Sequence, residues 1–104
     1  MIDLVSTMDD DGYPTEETER LIREFTGSAE DLLAAVKTIW HFPSFGWKEQ
    51  KGESGRSHLY HISTGGWSGN ETLISAMHSN HIFWWLSWLQ SQRGGHYIFE
   101  VSRP

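Results

Sequence analysis

A chain of 104 residues with a net charge of −6 and no cysteine has room for one domain and one core. It excludes structural disulfides, Cys-ligated zinc and a thiol nucleophile. The charge is divided: residues 1–31 hold ten acids against Arg20 and Arg23, a balance of −8, while residues 32–104 balance at +2. An acidic amino-terminal third argues against duplex nucleic acid, which needs clustered bases to displace counterions, and suits docking on a basic protein surface.

Residues 1–13, with Asp9-Asp10-Asp11-Gly12, read as a loose acidic arm of a single domain spanning residues 1–104. Pro14 and Thr15 then precede Glu16 and Glu17, acids where the first turn of a helix favours them. Leu21, Ile22 and Phe25 give that helix one apolar side, and Gly27 ends it. Ser28 opens a second helix, with Asp31 in the capping-box position and Leu32, Leu33, Val36, Ile39 and Trp40 at helical spacing. Pro43 stops it.

After Pro43 the period changes. Residues 45–51 and 56–64 flank Gly52-Glu53-Ser54-Gly55, the pattern of a hairpin. Leu59, His61 and Ser63 fall on one face of its second strand, and His58, Tyr60 and Ile62 on the other. Ser68 and Glu71 match the capping box of a third helix that buries Leu73, Ile74 and Met77 and ends near Asn80. The aromatic run of residues 82–89 reads as a strand buried on both faces, because aromatic enrichment favours strands over helices. Residues 91–95 turn the chain, and His96 to Ser102 alternates Tyr97, Phe99 and Val101 against His96, Ile98 and Glu100, a second strand. The order ααββαββ predicts an α+β domain with an antiparallel sheet of about four strands.

The stretch Ser63-Thr64-Gly65-Gly66-Trp67-Ser68-Gly69-Asn70-Glu71 carries the most chemistry. A glycine-rich loop at a helix amino terminus presents backbone N–H groups and a partial positive charge to an anion, and Trp67 offers a ring for stacking on a base. Arg93-Gly94-Gly95-His96-Tyr97 is a second constellation, an arginine fork beside a tight turn. If the strands at 56–64 and 82–90 pair antiparallel, the two loops fall at opposite ends of the sheet; the sequence leaves open whether they share a pocket. Six histidines invite a metal, but no HExxH or comparable spacing occurs. The loop is neither a Walker A nor a GxGxxG motif, and Gly-Trp-Ser-Gly lacks the spacing of a nucleophile elbow.

The segments Gly12-Tyr13-Pro14-Thr15-Glu16-Glu17-Thr18, Ser63 to Glu71 and Arg93-Gly94-Gly95-His96-Tyr97-Ile98-Phe99-Glu100 resemble a family of small uncharacterised phage and bacterial proteins, over most of the chain. That resemblance implies an antagonist of a host system, which binds a host protein or sequesters a nucleotide signal. Leu59-Tyr60-His61 resembles the Tyr-His start of an ADP-ribosyltransferase NAD site, on a chain short for that fold.

The expectation is a non-catalytic recognition protein of the cytoplasm (the host's, on the phage resemblance), without cofactor, metal or membrane span; the longest apolar run, at 82–86, is too short to cross a bilayer. A phosphate-bearing ligand would meet Thr64, Gly65, Gly66, Trp67, Ser68, Gly69, Asn70, Arg93, His96 and Tyr97. A protein partner would meet Asp9, Asp10, Asp11, Glu16 and Glu17. The alternatives are a small His- or metal-dependent enzyme and an ADP-ribosyltransferase-like one. Self-association stays open.

Overall fold

The computed structural model describes residues 2–52 and 57–102. Helix α1 (Glu16–Arg23) starts at Thr15, whose hydroxyl accepts the Thr18 N–H while the Thr18 hydroxyl accepts the Thr15 N–H. Helix α2 (Ala29–Lys37) starts at Ser28, whose hydroxyl accepts the Asp31 N–H, as the sequence predicts. A single turn, α3 (Pro43–Gly46), leads into β1 (Trp47–Lys51) and β2 (Ser57–Ser63). Helix α4 (Ser68–Ser79), helix α5 (His81–Ser87), β3 (Trp88–Gln92) and β4 (His96–Ser102) follow. Residues 53–55 of the expected hairpin loop lie outside the described residues.

The four strands form one antiparallel sheet in the order β1-β2-β4-β3, which makes the chain an α+β protein. Trp47, Tyr60, Ile62, Phe99 and Val101 turn inward to Ile22, Leu32, Leu33, Val36, Leu73 and Met77 of the helices. The residues between them on the central strands, Leu59, His61, Ser63, Ile98 and Glu100, are half-buried on the opposite face. The period-2 alternation read from the sequence therefore holds on β2 and β4.

Three expectations are corrected. The amino-terminal segment is not a loose arm. Leu4 is 1% exposed in the core, and the hydroxyls of Thr7 and Thr18 bond at 2.6 Å. Asp9 closes the acidic turn by accepting the N–H groups of Asp11 and Tyr13, both at 2.9 Å. The arm is held because an apolar anchor and a threonine ladder lie either side of the acids that suggested disorder.

The aromatic run is not a strand throughout: residues 81–87 are helical and β3 begins only at Trp88. Asn80 decides this. Its carboxamide donates to the carbonyls of Ile22 and Phe25 (2.9 Å each) and accepts the Phe83 N–H, capping a new helix where α4 ends. Phe83 and Ser87, one helical turn apart, point inward, while Ile82, Trp85 and Leu86 point to solvent.

Ser68 is not the cap of α4. It already lies in the helix, Trp67 occupies the cap position, and no side chain caps that end. The shift comes from the turn Thr64-Gly65-Gly66-Trp67, closed by Trp67 N–H to the Thr64 carbonyl (3.2 Å), with φ of 65° and 78° at the two glycines. L side chains rarely adopt that conformation, and it delivers the chain into the helix one residue early.

Candidate functional site

Placing β4 between β2 and β3 makes β2 and β3 run the same way, so the segments that follow them leave the same end of the sheet. Ser63 pairs with His96, and the Thr64 N–H donates to the Gly95 carbonyl at 3.0 Å. A Cβ on Gly95 would stand 2.3 Å from the Thr64 hydroxyl oxygen, so only glycine permits this approach. The two loops that the sequence could not place together are thus neighbours. Arg93, exposed in the turn between β3 and β4, pairs with no carboxylate among the described residues.

Within the loop most side chains are already engaged. Thr64 is buried, and its hydroxyl accepts the Gly66 N–H at 3.4 Å. Asn70, 1% exposed, clamps the connection between α2 and α3: it accepts the His41 N–H and donates to the His41 carbonyl, both at 2.9 Å, and donates to the Thr64 carbonyl at 3.2 Å. The ring of Trp67 stacks on His41 (centroids 4.1 Å, 25°), leans on Tyr13 (5.0 Å) and covers Gly69 so closely that no Cβ would fit. Asn70 and Trp67 therefore fix the loop's shape. Gly65, Gly66 and Ser68 remain exposed.

The clamp has a consequence one residue on. Phe42 sits in the left-handed region (φ 59°, ψ 55°), rare for a bulky side chain. Pro43 disfavours the right-handed helical region for the residue before it, and Phe42's carbonyl accepts the N–H groups of Phe45 and Gly46 at 3.1 and 3.0 Å. Strained backbone of this kind persists where its surroundings over-determine it, and it clusters at binding sites. Here it holds Phe42 and Phe45 outward, 65% and 70% exposed, at the rim of two depressions.

One depression, about 320 Å³, lies among His41, Phe42, Phe45, Ser63, Thr64 and Gly65. The other, about 420 Å³, lies among Phe45, Gly46, Lys48, Gln50, His61, Ser63 and His96. Phe45 and Ser63 border both. Gly46 presses against β2 where a Cβ would meet the Ser63 carbonyl at 2.4 Å, which seats the Phe45 turn against this end of the sheet. In the larger cleft the Ser63 hydroxyl and His96 Nδ1 are hydrogen-bonded, and His61 Nε2 is a buried ring nitrogen with no hydrogen-bond partner. Among the described residues no aspartate or glutamate lines either depression. Lys48, His61 and His96 together offer an ammonium and two imidazoles in a chain of net −6.

Of the residues that the sequence singled out, Thr64, Gly65 and His96 line this site and Arg93 adjoins it through Gly95. Tyr97 points to the other face of β4, into a shallow groove with Glu71, His78 and Trp84. Asp9, Asp10, Asp11, Glu16 and Glu17 are exposed, with Asp9 spent on its turn and Glu17 paired with Arg20. Lys48, His61 and Phe45, which line the larger depression, were not among the residues that the sequence singled out. The alternation of His61 with Tyr60 and Ile62 marked it as facing away from the core, the one signal available.

Glu49, on the neighbouring side of β1, belongs to a separate cluster. Partial burial pushes its carboxyl up, but hydrogen bonds from Lys37 (3.0 Å) and Trp47 Nε1 (3.0 Å), the Lys37 charge and a hydrogen bond with His58 (3.3 Å) outweigh that and hold it below the usual carboxylate range. Among the described residues no three His, Asp or Glu side chains gather as a metal-holding group, and no helix is long and apolar enough to cross a membrane. Compared with known proteins, the chain matches no family model, no curated protein and no solved structure.

Proposed function

We propose that the protein is a non-catalytic recognition module that takes a small phosphate-bearing ligand with an aromatic part, of nucleotide size, in the paired depressions around Phe45 and Ser63. The observation that carries this reading is a cleft lined by Lys48, His61 and His96, and by no carboxylate among the described residues, in an acidic chain. An anion there gains charge-assisted bonds from Lys48 and from imidazole N–H groups. Phe42 and Phe45 give the aromatic part a surface at the rim, and the volumes fall in the range of small-molecule sites. The Thr64–Asn70 loop then acts chiefly as scaffold, contributing the exposed backbone of Gly65 and Gly66 rather than the Trp67 ring. On the resemblance to small phage proteins, such a site would serve to sequester a nucleotide signal.

The test is NMR titration of the intact chain with AMP and with inorganic phosphate. AMP should shift the ring signals of His61 and His96, and Lys48→Ala should weaken it by about tenfold or more, close to 1.4 kcal/mol, with the unfolding midpoint unchanged. Phe45→Ala should weaken AMP while sparing inorganic phosphate. No histidine shift at millimolar AMP, or equal affinity in Lys48→Ala, would sink the proposal. A protein-facing reading is favoured by the exposure of Asp10, Asp11, Glu16 and Glu17; it expects a basic protein, not AMP, to perturb the molecule, with shifts confined to residues 9–17.

A further inference from the structure

Ile82, Trp85 and Leu86 stand at i, i+3 and i+4 on one side of α5, exposed to 74%, 86% and 74%. Trp88 and Leu89 continue directly from them at the start of β3, 42% and 51% exposed. β3 is the last strand of the sheet, all five of its residues are exposed, and its outer edge pairs with no described strand. From residue 81 to residue 92 the chain has no Asp, Glu, Lys or Arg. An edge strand that faces water is usually guarded by charge or proline. This one has only an irregularity between Trp88 and Gln90, and the helix beside it adds apolar surface instead of shielding it.

We infer that this ridge is a self-association surface, on which a second copy of the chain packs about a two-fold axis, α5 against α5. Three features select a second copy over other partners. A patch without formal charge can meet itself with no like-charge repulsion, and it offers nothing for a charged partner to read. The five side chains expose on the order of 600–700 Å² per copy, near the ~800 Å² per partner of a standard stable interface. A two-fold interface is isologous, so one self-complementary patch suffices and assembly closes at two chains. The net charge of −6 keeps the remaining faces of the copies apart.

Sedimentation of the intact chain at micromolar concentration should give twice the 12.0 kDa of one chain. Trp85→Glu should give single chains with an unchanged far-UV spectrum, since that ring touches little of its own core. The absence of cysteine permits a second readout: single cysteines introduced in turn at Ile82, Trp85, Leu86 and Leu89 should form a linked dimer at the position nearest the axis, whereas Ser75→Cys on α4 should not. A wild-type chain that stays single overturns the inference. So does a mass that grows without limit, or a dimer that survives Trp85→Glu and links through none of the four positions.

Discussion

The two outer strands of the sheet are the same length and opposite in chemistry. β1 carries Lys48, Glu49 and Lys51 in five residues, and Glu49 ties together Lys37, Trp47 and His58. β3 carries Trp88, Leu89, Gln90, Ser91 and Gln92, with no formal charge. A charged edge is poorly suited to pairing with another chain, and it is also where this protein gathers the lysine of its candidate ligand cleft. An uncharged edge beside an apolar helix face is suited to burial. One sheet therefore presents a charged outer edge and an uncharged, apolar one, and the distinction lies in the charge of the edge residues rather than in backbone geometry.

The largest blow to this contrast falls on Trp47, which anchors β1. It is buried, packs edge-on against Trp40 (5.4 Å) and Tyr60 (6.3 Å), and donates to Glu49. Trp47→Ala should cost about 3–5 kcal/mol in denaturant unfolding; a loss below about 1 kcal/mol would mean that the charged edge is held by its ladder alone. Next comes acid. Because the Glu49 carboxyl is held low, its contribution to stability is present above about pH 4.3, the ordinary glutamate value, and is lost as pH falls through its lower folded value. Glu49→Gln should flatten the fall of the unfolding midpoint below that pH, and an identical acid limb in the variant would remove the cluster's role. The smallest effect belongs to the uncharged edge. Leu89→Lys should change the stability of the dilute single chain by less than about 0.5 kcal/mol, since its side chain leaves the core untouched, while supplying to β3 the guard that β1 already has.

Much of the fold was legible because it rests on local chemistry. Thr15 and Ser28 stand before apolar stripes and cap α1 and α2, and the alternation in 57–63 and 96–102 set the inward faces of both central strands. The errors came where a distant partner overrode a local preference. Asn80 turned an aromatic run into a helix by bonding to carbonyls of Ile22 and Phe25, more than fifty positions away. Leu4 fixed an acidic segment that composition alone marks as loose. The glycines at 65 and 66 moved the start of α4 by one residue and left Ser68 without its capping role.

The site divides in the same way. Residue type and spacing alone marked the glycine turn, the Arg93-Gly94-Gly95 turn and His96 as positions where the backbone bends and donors cluster, because turns and helix starts depend on neighbours in the chain. Whether those turns meet depended on strand order, and strand order is decided by which apolar faces bury best across the whole sheet. With β4 inserted between β2 and β3, Gly95 reaches Thr64 and His96 reaches Ser63; with β2 beside β3 they would sit at opposite ends. Lys48 and His61 face each other across the hairpin that the local pattern marked, but only the tertiary structure brought His96, more than thirty positions on, to join them and Phe45 around one cleft.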